Sequence, residues 1–344
     1  MRKGLFRAAL VLLLFPLVLT GCLFGPEEKA SAPIDPPPKQ EIPEGKIKGD
    51  EHKTEAKKGD DLELYFLSDS GYVVPYSLNV PKVEGIAKEA ISYMVKGGSG
   101  EPMLPEGFSG ILPKGTKVKG LSIQGKTATI DFSKEFLSYD PKMEEKILSA
   151  VTWTLTGFDS VEKVNIWVNG KPLKIMPKGK SPAQELTRNQ GINLEIAQGV
   201  SVSQSIPVTL YFLGQSSDNT IYYVPVTRMI NRKDDIAKAT LQELVKGPQQ
   251  GSTLSSALTQ TLQVNSVKMK GDLAVADFGK QLLQFGEGKQ ASKDAINTIV
   301  LSLTENTAAK KVKITVDGKS GAVSQGKTLS KPVNRPAMIN PGEY

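Results

Sequence analysis

The chain has 344 residues, of which 39% are hydrophobic and 23% charged, so it can build one or two cores but is too polar for several membrane spans. Its formal net charge is +7, with three of the basic residues in the first seven positions, and the remainder lacks the clustered basic face that a nucleic-acid partner needs. One Cys and one His exclude an intrachain disulfide and a Cys/His zinc site, and we expect no cofactor.

The N-terminus has the organisation of a bacterial export signal. Three basic residues precede an apolar run at 10–19 that is too short to span a bilayer. The run leads into Leu19-Thr20-Gly21-Cys22, which resembles the lipobox of bacterial lipoproteins, with small residues next to the cleavage point. An ordinary signal peptide with a chance Cys, or an uncleaved anchor, is the alternative. We expect residues 1–21 to be removed and Cys22 to carry acyl chains, such as palmitate, that anchor the protein to the membrane.

Residues 22–60 form a segment rich in proline and charged residues. Such a segment buries too little apolar surface to offset the entropy of ordering it, so we expect an extended, mobile tether. The single histidine, His52, lies in this tether, where a solvated surface position is the better interpretation.

The rest of the chain is a tandem repeat whose two copies are offset by 146 to 150 residues. A repeat of this kind predicts two copies of one fold. We place the domains at 61–193 and 208–340, joined by a linker at 194–207. The clearest matching segments are 64–67 with 210–213, 131–132 with 277–278, 163–168 with 311–316, and the closing Arg-x-x-x-Ile-Asn at 188–193 with 335–340.

Apolar periodicity predicts the same elements in each copy. In chain order, those of the first copy are a strand at 62–66, its hairpin partner at 72–76, a helix at 86–95, hairpin strands at 118–123 and 128–132, a helix at 143–155, and a strand at 164–168. Lys96-Gly97 and Lys246-Gly247 supply helix stops. The order ββαββαβ predicts an α+β domain with two helices on one face of a small mixed sheet. We expect the other sheet face and the sheet edges to be free for association.

Two short motifs mimic nucleotide chemistry. Gly321-x-x-x-x-Gly326-Lys327-Thr328 fits the P-loop pattern, but Leu-Ser-Lys-Pro follows it directly and 16 residues remain in all, so we expect neither the helix nor the downstream acidic strand that the pattern needs. Asp277-Phe278-Gly279 resembles the kinase magnesium triplet, yet its copy reads Asp131-Phe132-Ser133 and no His-Arg-Asp loop exists. We expect both aspartates to end a strand and cap the following turn.

Catalytic constellations find little support. His52 in the tether and a lipidated Cys22 leave no Ser-His-Asp or Cys-His site. The folded part contains enough acidic residues to supply the carboxylate pair that sugar hydrolysis needs, so this activity remains open. We expect Glu144 and Glu145 on a solvated helix face, and we predict no catalytic residue. The acids considered are Asp131, Glu135, Asp140, Glu144, Glu145, Asp277 and Glu287.

Three segments carry a family resemblance. Leu-Pro-Lys-Gly-Thr at 112–116, the strand end at 129–136 and the last strand with its turn at 161–171 resemble the GerMN domain. The second copy departs at 258–262, where Leu-Thr-Gln-Thr-Leu stands. Two such domains behind a lipobox resemble the sporulation and spore germination lipoproteins of this family. The resemblance implies a fold related to the ring-building motif of secretion systems and no catalytic residues.

The resemblance also implies a role in assembling a complex between the mother cell and the forespore. The expected partners are the membrane, through the lipid anchor, other sporulation envelope proteins, and further copies of the chain; no nucleic acid is expected. The expected location is the outer face of the cytoplasmic membrane, in sporulating cells the membranes around the forespore. A peptidoglycan-binding module and a cell-wall hydrolase remain alternatives to a scaffold.

Overall fold

The structure is a computed structural model that describes residues 59–284, 290–321, 323–324 and 327–342. The predicted signal at 1–21, Cys22, nearly all of the tether with His52, and Glu287 lie outside the described residues.

The first domain follows the predicted element order. Its principal elements are β1 (Gly59–Ser68), β2 (Val73–Pro81), α1 (Ile86–Tyr93), β3 (Phe108–Ser109), β4 (Val118–Gln124), β5 (Thr127–Phe132), α2 (Glu144–Leu155), β6 (Lys163–Val168) and β7 (Lys171–Pro172).

The second domain repeats that order, preceded by a short strand from the linker. Its elements are β8 (Glu195–Ile196), β9 (Ser205–Gln215), β10 (Ile221–Asn231), α3 (Ile236–Lys246), β11 (Val264–Lys270), β12 (Leu273–Phe278), β13 (Gln290–Ala291), α4 (Lys293–Asn306), β14 (Lys311–Val316), β15 (Val323–Ser324), β16 (Lys327–Thr328) and β17 (Val333–Asn334).

The strands of the first domain divide between two sheets, and the second domain adds a third small sheet in the order β13-β15-β16. A long antiparallel hairpin, β1 with β2 or β9 with β10, forms the first sheet. The second is mixed, in the order β4-β5-β6-β7 or β11-β12-β14-β17, with a parallel central pair. Parallel neighbours need a crossover, and α2 and α4 supply it while packing on β1 and β9. The prediction of two tandem α+β domains is confirmed, with several small sheets forming the β layer.

The repeat register is confirmed by burial. Residues that the repeat makes equivalent are buried together, because the same apolar side of each strand and helix faces the same core. The equivalent pairs, each at most 1% exposed, are Phe66 with Phe212, Phe132 with Phe278, Val151 with Ile299, and Ile166 with Ile314.

The first helix is shorter than predicted. Helix α3 runs to Lys246 and ends at Gly247, whose φ of 79° suits a glycine. In the first copy α1 already ends at Tyr93, because the next residues turn away to pair with the segment before β4. The amides of Ile111 and Leu112 both donate to the Met94 carbonyl.

The hairpin sheet of each domain is not free for outside partners, contrary to the prediction from the element order. Strand β2 packs against β10 of the other domain. Val74 of β2 is fully buried and belongs to the apolar cluster of the second domain. Phe108 lies edge-on to Tyr222, with ring centroids 4.9 Å apart. The duplicated hairpins therefore join the two domains to each other.

Candidate functional site: the junction between the two domains

The Arg-x-x-x-Ile-Asn segment that closes each repeat builds the junction. Asn193, at the end of the first copy, lies between β2 and β10. Its side-chain Oδ1 accepts from the Val73 amide at 2.9 Å, and its Nδ2 donates to the carbonyls of Val73 at 2.7 Å and Pro225 at 2.8 Å. One amide side chain thus joins a strand of each domain through main-chain atoms.

Asn340, at the end of the second copy, makes the same three contacts with the domains exchanged. Its Oδ1 accepts from the Tyr223 amide at 2.8 Å, and its Nδ2 donates to the carbonyls of Tyr223 at 2.9 Å and Pro75 at 2.8 Å. The repeat makes Val73 equivalent to Tyr223 and Pro75 equivalent to Pro225. The junction therefore has pseudo-two-fold symmetry.

The residues before the two asparagines extend this exchange. The Ile192 carbonyl accepts from the Thr227 amide, and the Ile192 amide donates to the Thr227 hydroxyl at 3.0 Å. On the other side the Ser77 hydroxyl donates to the Ile339 carbonyl at 3.0 Å. Both asparagines have a left-handed backbone, with φ of 48° and 50°, which Asn tolerates better than most residues.

The two arginines of the motif meet on one carboxylate. Arg188 Nη1 donates to Glu305 Oε1 and Arg335 Nη2 donates to Glu305 Oε2, each at 2.8 Å. Each guanidinium also holds the end of the second helix of its own domain, through the hydroxyls of Thr156 and Thr304. Glu305, on α4, thus links both copies of the motif across the junction.

This charge cluster is largely shielded from solvent: the Glu305 side chain is 9% exposed, and those of Arg188 and Arg335 are 28% and 27% exposed. Burial alone would raise the pKa of the Glu305 carboxyl, but Arg188 and Arg335 outweigh that effect and lower it. Burial raises the pKa of the Tyr65 and Tyr211 hydroxyls, which lie close to the cluster. Removing one cation from a buried carboxylate strongly destabilises the folded protein, because the carboxylate is left without a partner. This cluster therefore favours one fixed arrangement of the domains.

The strand-ending aspartates are turn caps, as predicted, but each caps the turn of the neighbouring parallel strand. Asp131 Oδ1 accepts from the Gly170 amide at 2.9 Å, after β6. Asp277 Oδ1 accepts from the Gly318 amide at 2.8 Å and the Thr315 hydroxyl at 2.6 Å, after β14. Burial would raise the pKa of Asp277, and these hydrogen bonds lower it instead.

Glu144 contradicts its predicted solvated position. Its side chain is buried at the start of α2, with the residue 1% exposed, because it accepts hydrogen bonds that replace water. Burial would raise its pKa, but hydrogen bonds from the Tyr139 hydroxyl and the amides of Gly179 and Ser181 lower it to about 2. Glu145, in contrast, is exposed as predicted.

The P-loop pattern falls on a hairpin. Strand β16, which contains Lys327 and Thr328, pairs antiparallel with β15, so no helix follows the pattern; its Gly326 lies outside the described residues. Within the described ranges no group of three His, Cys, Asp or Glu side chains is placed to hold a metal. None of the helices described there is long and apolar enough to cross a membrane.

Sequence reasoning identified the closing motif as a repeat marker and assigned it no role. The motif nevertheless carried a signal of its structural role: its Arg, Ile and Asn are the same in both copies, although the motif lies outside every predicted helix and strand. Glu305 gave no comparable signal, because its counterpart in the first copy is Gly157.

Comparison with known proteins covers both domains. The family model described as "Germane: Sporulation and spore germination" matches residues 63–174 and 209–322. The chain is 37% identical, over the whole of both chains, to "Spore germination protein GerM" of Bacillus subtilis (strain 168). The solved structure "Tandem GerMN domains of the sporulation protein GerM from Bacillus subtilis" covers 83% of this chain and all of its own, at 39% identity and a TM-score of 0.77.

A solved structure of the first GerMN domain of the same Bacillus subtilis protein is 44% identical and covers 38% of this chain and 98% of its own, with a TM-score of 0.36. The matched family, the full-length relative and the tandem structure agree with the resemblance inferred from the sequence. The chain belongs to the GerMN-domain family of sporulation and spore germination proteins, with two copies of the domain.

Proposed function

We propose that this protein is a non-catalytic scaffold of the sporulation envelope that helps to assemble a membrane complex between mother cell and forespore. The observation that carries the proposal is the reciprocal junction. Two copies of one domain are fixed by Asn193, Asn340 and the arginine pair on Glu305, so they present their outer surfaces in one constant relation.

The hydrogen bonds made by the acidic residues support a role without catalysis. Asp131 and Asp277 cap turns, and Asp140 caps a short helical turn by accepting from the Lys142 amide. Glu144 is held by three donors and has a lowered pKa, whereas a general acid needs a pKa raised toward neutrality. These carboxylates are engaged in local structure.

The anchor and the location remain part of the proposal. Acylation of Cys22 would hold the protein on the outer face of the cytoplasmic membrane, and the tether at 22–60 would let the domain pair reach partners above the surface. In a sporulating cell these are the membranes that surround the forespore. The partners in this proposal are other envelope proteins of sporulation and further copies of the chain.

The experiment is complementation in the native host, with heat-resistant spores counted and the protein level measured. We expect Asn193→Asp combined with Asn340→Asp to lose sporulation, while Asn169→Asp, in an exposed turn, does not. Asp131→Asn with Asp277→Asn should sporulate wherever the protein accumulates normally. A sporulation defect in that second pair at normal protein level would instead indicate chemistry at a carboxylate.

Two further tests address the anchor and the alternative ligand. Cys22→Ala should leave an unprocessed precursor that incorporates no labelled lipid; processing and lipid incorporation in that variant would contradict the anchor. Retention of the soluble domain pair on purified peptidoglycan would favour the envelope-ligand alternative over a protein scaffold.

A further inference from the structure

An open groove of about 780 Å³ lies on one side of the junction. Helix α2 forms one wall, the segment after β7 that includes Gln190 forms the base, and a loop of the second domain at 249–252 forms the other wall. Leu194, which is 52% exposed, supplies apolar surface along it.

The pseudo-two-fold symmetry shows what fills the equivalent place on the other side. There the Tyr223 side chain lies against α4, and its hydroxyl donates to Asp294 at 2.7 Å and accepts from Asn297 at 2.8 Å. On that side the place is therefore filled by an aromatic ring of the chain itself, the Tyr223 ring, which ends in a hydrogen-bonding hydroxyl.

The first copy lacks that occupant. The residue equivalent to Tyr223 is Val73, and the helix positions equivalent to Asp294 and Asn297 hold Lys146 and Ser149, both of which line the groove. Lys146 Nζ donates to the Gly71 carbonyl at 2.6 Å, which uses one of its three protons. An ammonium thus stands where the other side presents a carboxylate, while the Ser149 hydroxyl already donates to the Lys146 carbonyl at 3.0 Å.

The charges along the groove favour an anion at this wall. Lys142 lies in the turn just before α2, Lys146 lies on α2, and the exposed Glu145 lies between them in sequence. The remaining acid, Glu195, is already paired with Arg228 at 2.5 Å. An ammonium binds a carboxylate through charge-assisted hydrogen bonds, which are stronger than neutral ones.

We propose that this groove binds an extended peptide of a partner protein that presents a carboxylate beside a bulky apolar side chain. The carboxylate lies at Lys146, and the apolar side chain covers the exposed Leu194. Gln190 and Gln250 also line the groove, and their side-chain amides can donate to the peptide main chain. The proposal rests on the scaffold function, because it names the surface that holds a partner.

The test uses the full mature chain with Cys22→Ser, labelled for amide NMR, and two probes. N-acetyl-Ala-Ala-Phe with a free carboxyl end should bind about tenfold more tightly than the same peptide as its amide, and should shift the amides of Gly71, Ser149 and Gly191. Equal affinity of the two peptides, or shifts at other surfaces, would overturn the proposal.

Three variants test whether the peptide binds in the groove. Lys146→Glu should remove the preference for the acid, whereas Lys88→Glu, the same charge change on the exposed face of α1, should keep it. Ser149→Tyr fills the groove and should weaken binding of both peptides at least tenfold. Unchanged binding in Lys146→Glu and Ser149→Tyr would assign the peptide to another site.

Ser149→Tyr also separates this proposal from the scaffold function. Loss of sporulation with Ser149→Tyr at a normal protein level would support the groove as a partner surface. Normal sporulation with Ser149→Tyr, together with loss of sporulation in the double asparagine variant, would refute the groove and leave the scaffold standing. Normal sporulation in the double asparagine variant would refute the scaffold itself.

Discussion

Helical periodicity could not predict that Glu144 is buried. Glu144 lies on the polar side of the predicted helix, and Glu145 beside it is exposed. The partners that bury Glu144 come from Tyr139 and from a turn at 178–181, which are invisible to helical periodicity. A buried carboxylate with three donors fixes that turn against the start of α2.

The lowered pKa of Glu144 predicts a pH dependence of stability. The ionised form is favoured in the folded state, so its contribution is fully present above the ordinary pKa of 4.5 and is lost as pH falls to about 2. We expect Glu144→Gln to lower the free energy of unfolding by about 2 kcal/mol at pH 7. The difference from the native sequence, measured by urea unfolding, should shrink between pH 4.5 and pH 2. A constant difference over that range would contradict this assignment.

The paired asparagines give a second prediction at this scale. Asn193→Asp and Asn340→Asp keep the acceptor and the tolerance for a left-handed backbone, but each removes the donor to two carbonyls. We expect each to lower the free energy of unfolding by about 2 kcal/mol, and by similar amounts, because the contacts are symmetric.

Asn169→Asp is the matched control. Asn169 also has a left-handed backbone, with φ of 51°, but its Oδ1 accepts from the exposed Lys119 ammonium, which an aspartate can still do. Its free energy of unfolding should change little. A loss equal to that of the junction variants would trace the effect to the turn conformation rather than to the junction.

At the scale of elements, periodicity predicted every long helix and strand, because each buries one side against a core. It could not predict where an element leaves its sheet. The hairpins extend beyond the predicted 62–66 and 72–76, and α1 stops early, because pairing with distant segments decides both.

Equivalent core positions give a prediction for the elements. Phe132 and Phe278, at the ends of β5 and β12, are both fully buried. Truncation to Ala removes a ring from each core and should lower the free energy of unfolding by about 3–5 kcal/mol in either domain. Phe132 also stacks on Phe136, with centroids 4.2 Å apart, so its loss should be at least as large. A loss below 1 kcal/mol at either position, by urea unfolding, would contradict the repeat register.

At the scale of the whole molecule, duplication and a shared junction make two domains into one body. The sequence predicted the duplication, but it left the hairpin faces free, because nothing in a single copy shows that its partner is the other copy. The closing motif, the buried Val74 and Glu305 supply that information only once both copies are placed together.

The central claim is that the two domains behave as one cooperative unit, and the tryptophans allow a direct test. Both tryptophans of the chain, Trp153 and Trp167, lie in the first domain. Their fluorescence follows that domain and, because the Arg188 guanidinium lies 4.5 Å from the Trp153 ring centroid, its side of the junction, whereas circular dichroism follows both domains. The measurement is urea unfolding of Phe278→Ala, a core change confined to the second domain. We expect the fluorescence midpoint to fall together with the circular dichroism midpoint, because the destabilisation is shared through the junction. A fluorescence midpoint that stays at its native value while circular dichroism shows an earlier transition would contradict the account.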